Sequence, residues 1–174
     1  MARKQNLTLT TFFTACILLG NSISFADNTH ATKSGMLKNF SLTDMQNVKH
    51  TLSTYKGKWV IVNYWATWCP PCLEEVPDLV ALYDSRKNED VMVLGVVFEY
   101  ETADEVTQYV NDMLMSYPVI LGDESVIRQI GKADVLPTTF IYNPKGLLVK
   151  IKRGLVTKPY LERIMSEENS IKDN

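Results

Sequence analysis

The sequence predicts a single α/β domain over about residues 36–169, with a mixed sheet lying between helices. Strand-like and helix-like stretches alternate along most of the chain, which is the pattern of a sheet covered by the helices that connect its strands. Two strand-like runs, Trp59–Trp65 and Val91–Phe98, are apolar almost throughout, as strands buried on both faces must be. The chain then closes with two strands across a Pro-Gly turn and a last helix.

Taken in order, Asn39–Thr43 and Asn47–His50 form a short hairpin around Thr43-Asp44-Met45-Gln46. Lys58–Trp65 is the strongest strand. From Pro71 the apolar residues Val76, Leu79, Val80 and Tyr83 fall at helical spacing, so a helix runs to about Lys87, with a kink expected at Pro77. Val91–Phe98 is the second buried strand. Thr102 followed by Glu105 is a capping-box pattern and opens a helix to about Met115. Pro118–Leu121 is a short strand, and Glu124–Ile130 a short helix stopped by Gly131. Thr138–Tyr142 and Leu147–Arg153 are strands joined at Asn143-Pro144-Lys145-Gly146. Thr157 caps the final helix, with Pro159 in its first turn, to about Glu168, leaving a tail at 170–174.

The first 26 residues form a separate unit. Arg3 and Lys4 precede an uncharged apolar run from Leu7 to Gly20, and Ser24-Phe25-Ala26 supplies a small-residue cleavage site, the order of a secretory signal peptide. An uncleaved anchor is the alternative. The apolar run continues past Cys16, which argues against lipid attachment there, and 27–35 is a polar leader. Without Arg3 and Lys4, 16 basic residues face 20 acidic ones, a net charge of −4 that favours neither nucleic acid nor anionic lipid.

Removing that segment leaves two cysteines, in Trp68-Cys69-Pro70-Pro71-Cys72, between the strongest strand and the first long helix. A helix N-terminus favours a thiolate, so Cys69 is the expected nucleophile, held outside the helix by an extended Pro70, and Cys72, in the first turn, is the resolving thiol. The two prolines remove two N–H donors that could have bonded the thiolate, which points to a less oxidising disulfide. Glu75 follows Cys72 by three residues on the same helix face, whereas Glu74 turns to solvent. Glu75 is either a proton carrier for the buried thiol or an ordinary acid in a first helical turn. No metal site is expected: there is no second cysteine pair, and His30 and His50 lack ligand spacing. A Cu(I)-binding role for the thiol pair, and a non-catalytic interaction module, remain as alternatives. Local sequence favours a trans Pro137.

These residues resemble thioredoxin-like thiol-disulfide oxidoreductases of the TlpA and ResA type. The resemblance covers about residues 36–168 and rests on Val62-Asn63-Tyr64-Trp65-Ala66-Thr67-Trp68-Cys69-Pro70-Pro71-Cys72, on Glu75 and Pro77, on Asp134-Val135-Leu136-Pro137-Thr138-Thr139-Phe140-Ile141, and on Asn143-Pro144-Lys145-Gly146. It implies a thioredoxin fold with an N-terminal hairpin and a central insert at Glu99–Gly122. It implies that Pro137 is cis beside the cysteines, that Leu136 offers its backbone to a substrate strand, and that Trp68, Leu136 and Pro137 rim Cys69. Asn63 stands where cytosolic thioredoxins carry a buried Asp, and Glu75 is the implied substitute. The resemblance further implies a monomeric periplasmic reductase that needs no cofactor. It would act on disulfides of exported proteins, apocytochrome c among the candidates, and be recharged by a membrane electron donor. The Val-Leu-Pro-Thr segment departs from the pattern of dedicated cytochrome-maturation factors, so a general reductase is preferred. A disulfide oxidant is the alternative direction.

Overall fold

The computed structural model describes residues 39–170, so the expected signal segment, leader and tail lie outside the described residues. A two-stranded antiparallel sheet, β1 (Ser41–Thr43) and β2 (Lys49–Thr51), is followed by a 3-10 turn (Leu52–Tyr55). The main elements are β3 (Trp59–Trp65), α1 (Pro70–Arg86), β4 (Val91–Val97), α2 (Ala103–Asp112), β5 (Val119–Leu121), α3 (Glu124–Ile130), β6 (Thr138–Tyr142), β7 (Leu148–Arg153) and α4 (Lys158–Ser170). The five-stranded sheet has the order β5-β4-β3-β6-β7. β3, β4 and β5 run parallel, and β6 and β7 are antiparallel to their neighbours.

β3 is central, and all seven of its residues are buried because both faces are covered. Ile61 and Trp65 pack with Val76, Leu79 and Leu82 of α1 and with Leu161 and Met165 of α4. Val60, Val62 and Tyr64 point the other way, toward Phe40 and Leu42 of the hairpin and Val126 and Ile130 of α3. The hairpin is pinned by Asp44, which accepts from the N–H groups of Gln46 and Val48 and pairs with His50 Nε2 at 2.8 Å. His50 Nδ1 meets the Tyr55 hydroxyl, so both nitrogens of this histidine are engaged locally.

Two boundaries differ from expectation for identifiable reasons. Pro70 is helical rather than extended: Cys69 is the N-cap (φ −98°, ψ 99°), and Pro70 and Pro71 fill the first two positions, where a missing N–H costs nothing. α1 runs on through Pro77 to Arg86, one residue short of its expected end. α2 stops at Asp112 because Leu114 takes a left-handed φ of 51°, donating to the Asn111 carbonyl while Met115 donates to Val110. That is a Schellman ending with leucine in the place glycine usually holds.

Candidate functional site

Two loops leave the same end of the sheet, because Tyr64 near the end of β3 is the register partner of Thr138 at the start of β6. One carries Ala66–Trp68 into the N-terminus of α1, and the other carries Leu136-Pro137 into β6. Cys69 and Cys72 are joined by a disulfide, with Cα atoms 5.3 Å apart. The Cys69 N–H donates to the Ala66 carbonyl at 3.2 Å. The first-turn N–H groups of Cys72 and Leu73 both go to the Cys69 carbonyl, at 3.0 and 3.2 Å. With Pro70 and Pro71 having none, the helix tip offers Cys69 its dipole but no uncommitted backbone donor.

Cys69 is less open than the sequence suggests: it is 3% exposed, against 0% for Cys72. The reason is the bond itself, which ties the Cys69 sulfur to a wholly buried partner within the apolar cluster that holds Trp65, Ala66 and Val76. Around it Pro70 and Pro71 are exposed, and Trp68 is 58% exposed. The Leu136-Pro137 peptide is cis, as the resemblance implies and contrary to the local expectation of trans. Pro137 is buried, and its carbonyl accepts from Gly154 N–H at 2.8 Å. Leu136 is half-buried against the cluster containing the cysteines.

Glu75 is completely buried, and Glu74 on the next position is exposed, as helical periodicity requires. One Glu75 oxygen accepts from Asn63 Nδ2 at 2.6 Å and the other from Val156 N–H at 2.8 Å. Asn63 also donates to Thr139 Oγ1 at 3.1 Å. The register places Asn63 beside Gly95 on one side and Thr139 on the other, with Lys152 the partner of Thr139. This is a polar row through an otherwise apolar face, directly under α1. Burial pushes the Glu75 carboxyl up to about 7, outweighing the two hydrogen bonds and the distant Lys152 charge that favour ionisation. Trp65, on the same face, buries its indole Nε1 without a partner among the described residues, so the polar atoms here are not all spent on one another.

Periodicity and the resemblance find Glu75 and Asn63. They miss Thr139 and the Val156 N–H, which lie 76 and 81 residues from their partners. Alternation along β6 carries a signal for Thr139, which shares a face with Ile141; the Val156 amide leaves none. They also miss Thr67, two residues before Cys69, whose hydroxyl donates to Glu105 Oε1 at 2.8 Å and so ties the cysteine loop to the start of α2. Among the described residues no group of three or more His, Cys, Asp or Glu could hold a metal ion. The chemistry on hand is a disulfide at a helix tip, with a buried carboxyl that titrates near neutrality one turn farther along.

Residues 35–151 match the AhpC/TSA family. The chain is 30% identical over 168 residues to the thiol-disulfide oxidoreductase ResA of Geobacillus kaustophilus, covering 94% of this chain and 96% of that protein. It is 32% identical over 143 residues to ResA of Bacillus subtilis, covering 82% and 79%. A thiol:disulfide interchange protein of the thioredoxin family from Chlorobium tepidum superposes with a TM-score of 0.67 at 27% identity, over 74% of this chain and 92% of the other.

Proposed function

From a chain that belongs to the AhpC/TSA family, has the thioredoxin fold and is a thiol-disulfide oxidoreductase, we propose a reductant that acts outside the cytoplasm on disulfides of exported proteins. The observation that carries this reading is the pairing of Cys69-Cys72 at the tip of α1 with the buried carboxyl of Glu75. In the reduced protein the Cys69 thiolate attacks a substrate disulfide, forming a mixed disulfide and releasing one substrate thiolate. The Cys72 thiol passes its proton to Glu75, and its sulfur attacks that of Cys69. The second substrate thiol leaves, and two electrons have moved from the cysteine pair to the substrate. The described disulfide is the product of that cycle. A donor dithiol must then reach Cys69 at its narrow exposed edge, and a membrane electron donor fits that need. Apocytochrome c is one client within this class.

Two features support the reducing direction. A thiolate is what a strong oxidant stabilises, and here no backbone N–H of the first turn is left uncommitted to do so. Asn63, in the position of a buried acid, donates to Glu75 rather than competing with it for a proton. Export is supported by the charge, apolar run and small-residue site at the N-terminus. Replacing Cys72 by Ser is expected to leave substrates covalently held on Cys69, recoverable from cell envelopes as mixed disulfides released by dithiothreitol. Failure to capture any exported protein refutes the reading. The equilibrium potential of the pair is expected nearer about −270 mV than about −120 mV.

A further inference from the structure

A cleft of about 360 Å³ is lined by both site loops, through Trp68, the neighbour of Cys69, on one and Val135 and Leu136, which precede Pro137, on the other. Phe98 and Tyr64, with ring centroids 4.8 Å apart, add to its apolar wall. Three charged side chains border it. Lys132 and Asp134 sit 3.5 Å apart and cancel one another. The third is Glu99, which is exposed and makes no ion pair or side-chain hydrogen bond among the described residues. The cleft therefore carries one uncompensated negative charge.

The backbone at Glu99 is unusual in a way that bears on this. Its φ is 54°, in the left-handed region that L side chains rarely adopt. Glycine or asparagine would take that conformation more easily, and the carboxylate makes no internal bond that repays it. The position is also firmly held. The Phe98 N–H donates to the Trp65 carbonyl at 2.9 Å, so the chain leaves β4 for Glu99 tied to the end of β3 that leads to Cys69.

Building on the reductase reading above, we infer that Glu99 is a specificity-determining residue, selecting polypeptide disulfides in which a large apolar residue and a basic residue flank the reactive cysteine. The apolar side chain enters the cleft between Trp68 and Leu136, which adjoin Cys69 and Pro137 in the chain, and the basic group meets Glu99. Because Glu99 is solvated, the preference is several-fold rather than absolute, and salt weakens it.

The test uses two disulfide-linked peptides, identical except that Phe-Arg or Phe-Glu follows the cysteine, and the purified reduced protein. At low ionic strength the second-order rate constant is expected to be about threefold to tenfold higher for the Arg peptide, because changing Arg to Glu replaces an exposed attraction with a repulsion. The ratio should fall toward one at about 1 M salt, where the Debye length is about 3 Å. Glu99→Gln should abolish the preference and Glu99→Arg should reverse it. Each ratio is taken on one protein, so a general change in reactivity cancels. Equal rates for the wild-type protein, or an unchanged ratio in Glu99→Gln, overturn the inference and leave the oxidoreductase intact. Reduction of neither peptide overturns the reductase reading and this inference with it.

Discussion

At Glu75 two hydrogen bonds favour the carboxylate and burial opposes it, and the net result is a carboxyl pushed up to about 7. Such a group accepts a proton from Cys72 readily only when the surrounding pH has emptied it, so resolution of the mixed disulfide is expected to speed up through about pH 7. Glu75→Gln should remove that inflection and slow resolution by about 10²-fold at pH 7.5, a typical contribution of general base catalysis. Stopped-flow decay of a preformed mixed disulfide measures both. The exchange of carboxyl for amide is sterically mild, because an Asn63 flip lets a glutamine keep both partners. The raised value also has a cost in stability. The native state holds this proton more tightly than the unfolded chain, whose carboxyl titrates near 4.5. Between those two values the folded form binds more protons, so stability falls as pH rises, by about 3 kcal/mol at about 1.4 kcal/mol per unit. In Glu75→Gln that fall should vanish from the pH dependence of urea unfolding, and its persistence would move the titration to another group.

Among the elements, α1 and α2 show how termini are set by single residues. Cys69 sits at the N-cap because two consecutive prolines accept the first helical turn, and this fixes the disulfide at the helix tip. α2 begins where the Thr102 hydroxyl accepts from Glu105 N–H at 3.1 Å, and the Glu105 carboxylate reaches back to Glu101 N–H and across to Thr67. One acid therefore caps the helix of the insert and steadies the cysteine loop. Its far end is less comfortable, since Leu114 is left-handed and 80% exposed. Leu114→Gly relieves a backbone cost of about 1–2 kcal/mol and gives back part of it as unfolded-chain entropy, about 0.4–1 kcal/mol. A net gain of up to about 1 kcal/mol is expected in the urea midpoint at constant m-value; a loss would mean that the leucine side chain contributes packing. At the next junction, Gly122 donates to the Val97 carbonyl, and a Cβ there would lie 2.6 Å from that same carbonyl oxygen, so β5 closes on β4 only with glycine at this point.

For the molecule as a whole, redox state and stability are linked by a thermodynamic cycle: a fold that stabilises the disulfide over the dithiol lowers the potential by the same free energy. A reductant is therefore expected to melt at a higher temperature oxidised than reduced, whereas a strong oxidant shows the opposite order. Calorimetry of the two forms reads the sign, and a reduced form that melts higher would reverse the proposed direction. Much of the architecture was legible beforehand. The buried runs Trp59–Trp65 and Val91–Phe98, the Thr102 and Thr157 caps and the Asn143–Gly146 turn rest on local patterning and backbone chemistry, and each stands within a residue or two of its expected place. The cysteine pair and Glu75 were legible because three-residue spacing on one helix is itself local. By itself, then, the sequence determined the elements, their order and the reactive pair. The cis Leu136-Pro137 peptide was implied by the resemblance against the local preference for trans, while tertiary structure alone decided the near-closure of Cys69, the reach of Val156 and Thr139 to the Glu75-Asn63 pair, and the cleft that leaves Glu99 uncompensated. Each of these depends on atoms brought together across the sheet from positions far apart in the chain, where burial and charge are set by neighbours that no local pattern encodes.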